Sequence, residues 1–143
     1  MTALILWLTA AAPSGAQPET TTTVVYTEVA RQQGLDFTHT HGGSGTLFYV
    51  ETVGSGGGFI DHDSDGDLDI YLINGSPLPG TPPGPAPVNK LFRNSSGHFE
   101  DVTTITGIGD TSYGMGLAVA DYDNDGDSDL YVTNFGVNRL FRN

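Results

Sequence analysis

The stretch DHDSDGDLD, Asp61 to Asp69, places aspartate at five alternate positions in nine residues, and DYDNDGDSD, Asp121 to Asp129, does so again sixty residues later. Carboxylates this close repel one another by about 1 to 4 kcal/mol per neighbouring pair, even at a watery effective dielectric. A cation between them removes that cost. The first loop offers Asp61, Asp63, Asp65 and Asp69 at positions 1, 3, 5 and 9, with Gly66 at position 6 to permit a sharp turn. Asp67, at position 7, is expected to give its backbone carbonyl while its side chain faces outward. Asp121, Asp123, Asp125, Asp127 and Asp129 repeat the set around Gly126. An all-oxygen site of this kind suits calcium; zinc prefers histidine and cysteine at four positions. The sequence therefore implies about two calcium ions.

An EF-hand loop begins in the same way, but it needs a bidentate carboxylate at position 12 and a helix on either side. Position 12 is Leu72 in one loop and Val132 in the other, and the residues after position 9, IYLIN and LYVTN, are β-branched and aromatic as strands are. The nonapeptide calcium repeat of β-rolls fails because its glycine pattern is absent. Both loops thus sit between strands.

Outward from the loops the self-similarity continues. GGGFIDHDSDGDLDIYLINGS (56–76) aligns with GLAVADYDNDGDSDLYVTNFG (116–136), and NKLFRN (89–94) with NRLFRN (138–143). YTEVARQQGLDF, from Tyr26, matches FEDVTTITGIGD, from Phe99, in an aromatic, an acid, a valine and a Gly-aliphatic pair. Each unit reads as strand, aspartate loop, strand, connection, strand, turn, strand. The first unit predicts strands over Gly57–Ile60, Leu68–Ile73, Lys90–Arg93 and His98–Val102, and the only helical pattern is a turn or two around Thr27–Gln33. The fold class is all-β. Between its second and third strands the first unit inserts SPLPGTPPGPAP, whose six prolines from Pro77 to Pro87 predict an exposed loop outside any ladder. The second unit stops at Asn143 after its third strand, so the chain reads as the N-terminal part of a longer protein.

The formal charge of -12 rests on seventeen acids against five bases, and ten of the acids lie in the two aspartate runs. Nucleic acid is excluded as a partner, because phosphate binding needs clustered Lys and Arg. With no cysteine, metal or packing must hold the loops. The apolar run Ala3 to Ala12, followed by Ser14-Gly15-Ala16, reads as a secretory signal peptide over 1–16, although its start lacks Lys and Arg. About ten apolar residues fall short of the ~20 that span a membrane. Residues 17–23 are a threonine-rich linker, and 24–143 the repeat region.

The unit GLAVADYDNDGDSDLYVTN…NRLFRN, with its DxDxDGxxD loop, resembles the FG-GAP or VCBS repeat, the blade of integrin-α-like β-propellers. The order YTEVARQQGLDFTH…ETVGSGGGFIDHDSDGDLDIYLING…NKLFRN…FEDVT is similar to the start of the cartilage acidic protein and UnbV-like (ASPIC/UnbV) secreted family. The resemblance covers roughly Val24 to Asn143. It implies a seven-bladed propeller of four antiparallel strands per blade, with a calcium loop between the first two strands; this chain supplies less than two complete blades. It further implies a secreted scaffold for a protein or glycan partner, monomeric at full length and not itself an enzyme. The alternative is the N-terminal part of a propeller resembling calcium-dependent polysaccharide lyases, which would need a rim cluster of Lys, Arg, His or Tyr.

Other residues offer less chemistry. His39 and His41 on one strand face, with Glu51 nearby, could hold a transition metal but lack a third histidine. His62, at position 2 of its loop, is expected to point away from the ion, and His98 to begin a surface strand. Ser55, Ser95 and Ser96 lie in no nucleophile-elbow context. GSGGG (54–58) has no Lys-Ser/Thr after it for a phosphate cradle and reads as close packing near a propeller axis.

Overall fold

The computed structural model of the chain describes residues 23–143. The signal-peptide reading of 1–16, and all but the last residue of the 17–23 linker, lie outside these residues. Two antiparallel sheets follow one another along the chain. The first has the order β1 (Gly57–Ile60), β2 (Asp69–Leu72), β3 (Lys90–Ser95), β4 (His98–Asp101), and the second β5 (Gly114–Ala120), β6 (Asp129–Asn134), β7 (Arg139–Phe141). Each strand pairs with its sequence neighbour, as short connections favour.

The register explains the burial. Ile60 pairs with Asp69, Tyr71 with Leu91 and Phe92 with Asp101, so alternate side chains of β2 and β3 enter a single core. That core joins Ile60, Tyr71, Ile73, Leu91 and Val102 of the first unit to Leu130 and Val132 of the second. Neither sheet can bury its apolar face alone; each is the other's cover. Buried Asn89 and nearly buried Asp110 stitch the seam. The Asn89 amide donates to the Asp110 carbonyl, and Asn134 Nδ2 donates to the Asp110 carboxylate at 2.9 Å.

The GSGGG segment lies where the units come closest. β1 and β5 are the first strands of their sheets and lie against each other. Gly56 faces the Gly116 backbone, and a Cβ on Gly58 would come within 2.7 Å of a Leu117 methyl.

Between β4 and β5 is a short helix, α1 (Thr103–Thr106), just past the predicted strand His98–Val102, where the sequence pattern shows no helix. Its start is held by Asp101, whose carboxylate accepts from the Thr103 amide at 3.1 Å and hydroxyl at 2.6 Å, a local bond that competes with continuing the strand. The helical pattern near Thr27–Gln33 becomes one turn, closed by the Gln33 amide on the Val29 carbonyl at 2.9 Å.

The proline segment departs from the reading of an exposed loop at its beginning. Leu78 is buried with Val50 and Tyr113 in a second, smaller apolar cluster. The Leu78 amide and Thr81 hydroxyl both donate to the Gly42 carbonyl, at 2.9 and 2.8 Å. One leucine among the prolines supplies an anchor, and residues 82–86 beyond it are exposed. No helix among the described residues is long and apolar enough to cross a membrane.

Candidate metal centres

Each aspartate loop leaves the first strand of its sheet and returns as the second. The curl is built by its first carboxylate. Asp61 Oδ1 accepts from the Asp65 amide and Oδ2 from the Gly66 amide, both at 3.1 Å, and Asp65 Oδ1 accepts from the Asp67 amide at 2.8 Å. In the second loop Asp121 accepts from the Asp125 and Gly126 amides at 3.2 and 3.1 Å, and Asp125 from Asp127 at 3.1 Å. Gly66 and Gly126 stand at φ of 91° and 101°, the left-handed region a side chain resists. Ser64 and Asn124, the fourth residues, share that region at φ 58° and 59°. The two loops are one conformation repeated.

The curl gathers the carboxylates. Asp61, Asp63 and Asp65 each present an oxygen within 4.8 Å of the others, and so do Asp121, Asp123 and Asp129. Six to eight oxygens at about 2.3 to 2.6 Å are what calcium takes. An all-carboxylate set at a tight turn, with carbonyls and water free to complete it, fits that ion.

Asp69 and Asp129, at position 9, lie deeper than the rest and are nearly inaccessible. Asp69 Oδ1 accepts from the Asn94 amide at 2.7 Å, and its Oδ2 accepts from the His62 amide at 2.9 Å. Asp129 makes the same pair of bonds with the Asn143 and Tyr122 amides, both at 2.9 Å. Position 9 therefore clasps the start of its loop to the end of the third strand. Alternate spacing reveals the carboxylate but not this second duty, which needs the strand pairing to be known. Asp67 turns away from the cluster and accepts from the Ser96 amide at 3.0 Å. Asp127 accepts from the Ser64 hydroxyl at 3.3 Å, which joins the two loops.

His62 does not point away from the acidic loop. Its Nδ1 lies 2.6 Å from Asp69 Oδ2, and the ring is largely covered. A buried carboxylate with a spare lone pair recruits the nearest donor. Arg142 also reaches a loop, with Nη1 3.4 Å from Asp123 Oδ2, whereas its counterpart Arg93 pairs with Glu100 at 2.6 Å.

The other candidates gather less. Among the described residues His39, His41 and Glu51 form no three-ligand group. His41 Nδ1 accepts from the Gly43 amide, and its carbonyl takes the Tyr113 hydroxyl at 2.8 Å. Burial, then the nearby Glu51 charge, raises the Tyr113 phenol. Burial pushes the Tyr71 phenol up to about 12, and it donates to the Ile108 carbonyl at 3.0 Å. The Ser55 hydroxyl donates to the Gly114 carbonyl. These are packing roles.

Consecutive antiparallel sheets, each with an acidic loop between its first two strands and each covering its neighbour, are blades of a partial β-propeller. The family described as FG-GAP-like repeat matches residues 61–132, about half of the chain, and the chain belongs to that family. Its repeats generally form non-enzymatic, adhesion-type scaffolds, typically in extracellular proteins, and often bind calcium. No curated protein and no solved structure matches the chain.

Proposed function

We propose that the chain is a secreted calcium-binding β-propeller scaffold that offers the loops of one rim to a protein or glycan partner. Asp61, Asp63, Asp65, Asp121, Asp123 and Asp125 supply side-chain oxygens, Asp67 and Asp127 backbone carbonyls, and Asp69 and Asp129 the link from each ion to the sheet. One ion sits in each loop. Its chemistry is electrostatic: it neutralises clustered carboxylates and ties the first hairpin of a blade together, so the rim keeps its shape. Secretion rests on the leader-like residues 1–16, and the repeat region 24–143 is the binding body.

The observation that carries the reading is the duplicated curl, in which Asp61 and Asp121 hold the same two backbone amides and turn neighbouring carboxylates toward one point. Hydrogen bonds alone leave that like charge uncompensated. Extracellular calcium sites commonly bind at about 10⁻⁴ to 10⁻³ M. Calorimetric titration of chelator-treated chain is expected to find about two ions in that range, and about one in an Asp125→Ala variant. At calcium tenfold to a hundredfold above Kd, each site adds about 1.4 to 2.7 kcal/mol to stability. A chain whose melting temperature and calorimetric heat ignore calcium would refute the proposal.

A further inference from the structure

We propose that the first aspartate loop, unlike the second, also binds a transition-metal dication of the zinc class, through His62, Asp63 and Asp69. Each of these three side chains presents a ligand atom within 4.8 Å of the others. The corresponding group in the second loop is Asp121, Asp123 and Asp129, which offers oxygen alone. One residue makes the difference: position 2 is His62 in the first loop and Tyr122 in the second. The backbones there are alike, since the His62 and Tyr122 amides each donate to the position-9 carboxylate at 2.9 Å. The side chains part company. The His62 side chain is 15% accessible and lies on Asp69, whereas Tyr122 is 53% exposed.

The imidazole is not needed to hold the loop. Asp129 makes both of its clasping bonds, to the Tyr122 and Asn143 amides, with a tyrosine at position 2. What His62 adds is a nitrogen donor beside a carboxylate whose side chain is wholly buried. Its Nδ1 and Asp69 Oδ2 stand 2.6 Å apart, a separation at which a nitrogen and a carboxylate oxygen share a proton. A dication replaces that proton, as metals do when they bind protonated ligands. The other oxygen, Asp69 Oδ1, is fixed by the Asn94 amide at 2.7 Å, and an outer partner of this sort orients a metal ligand.

The donor set selects the ion. One imidazole nitrogen and two carboxylates are three protein ligands with a further position left for water, the arrangement that zinc takes at open sites. Imidazole moves affinity toward zinc and its neighbours, while calcium seeks six to eight oxygens. Asp63 belongs as well to the all-oxygen group Asp61, Asp63 and Asp65, so the two donor sets overlap at one carboxylate. Zinc and calcium therefore compete in the first loop and not in the second. The competition rests on the calcium reading above; the zinc site itself does not.

Zinc titrated into the chelator-treated full chain, in calcium-free buffer, is expected to fill one site, and the imidazole resonances of His62, not those of His39, His41 or His98, should shift in NMR spectra. His62→Tyr gives the first loop the residue that the second carries. It should weaken the zinc site by more than the roughly 10- to 100-fold that loss of an outer partner costs. The same variant should still bind about two calcium ions, which shows that its loops are folded. Tyr122→His should create a second zinc site. In the wild-type chain, saturating zinc should reduce the calcium count from about two to about one. Zinc bound equally well by His62→Tyr, shifts confined to the other histidines, a calcium count that zinc leaves unchanged, or no zinc heat at all would each overturn the proposal. A chain that binds zinc through His62 but no calcium would refute the calcium reading and leave the zinc site standing.

Discussion

The two repeat units share their loops and differ in how deeply their equivalent side chains are buried. Asp61 and Asp121 hold equivalent amides at nearly equal distances, and Asp69 and Asp129 make equivalent clasps. Yet Tyr71 is sealed and gives its hydroxyl to Ile108, while Tyr131 lies half open and accepts from the Asn138 amide at 2.8 Å. Arg93 spends its charge on Glu100 of the fourth strand, whereas Arg142, with no fourth strand beside it among the described residues, turns back to Asp123. A nine-residue motif can shape its own loop because every bond that shapes it is local or one strand away. Burial depends on what stands beside the sheet.

The largest expected break in this comparison is at the paired tyrosines. Tyr71→Ala empties a fully buried site and should cost about 3–5 kcal/mol in a urea melt, as large-to-small aromatic changes do. Tyr131→Ala should cost about 1 kcal/mol or less, since surface substitutions away from special features do little. Equal losses would mean that the two sites are equally closed.

Next comes the clasp against the cage. Asp69→Ala strands two backbone amides and should cost about 2–4 kcal/mol, much of it persisting in excess chelator. Asp63→Ala, whose neighbours are carboxylates, should cost stability only when calcium is present. Measuring both variants with and without chelator separates the duties; an Asp69→Ala loss that vanishes with the ion would reduce position 9 to a ligand.

The smallest expected effect concerns acid. Burial raises the Asp110 carboxyl, but the Ser112 amide and hydroxyl, the Asn134 amide and the Arg139 charge more than offset it, leaving the group below the ordinary aspartate range. Asp101 follows the same logic, with burial outweighed by Thr103 and Lys90. A carboxyl with a lowered folded pKa adds stability above its unfolded value, about 3.9, and loses it as pH falls through the folded one. In chelator, stability should therefore fall below about pH 4, and Asp110→Asn should flatten that limb. An unchanged slope would place the acid sensitivity elsewhere.

Much of the architecture was legible because it is periodic. The predicted strand Gly57–Ile60 matches β1, and the other three differ from theirs only by one or two residues at the ends. Leu68 falls out of its predicted strand because the turn still holds it in solvent. Residues whose partners lie far along the chain were less legible. His62 reads as an outward second position until Asp69 is known to be buried beside it. Leu78 looks like one more member of a proline loop until Gly42 is seen to grip it. The Asp101–Thr103 bonds were hidden because the strand ends and the short helix begins within two residues of each other.

The narrow contact between β1 and β5 has a consequence for any ring built from such blades. Neighbouring blades are hinged where Gly56 meets the Gly116 backbone and Gly58 leaves room for Leu117, and the rotation per repeat sets the curvature of any assembly built from repeats. A methyl group at Gly58 would act as a wedge at the pivot and change the angle between blades. Repeated around a circle, an angle of a few degrees decides how many blades are needed before the last one meets the first.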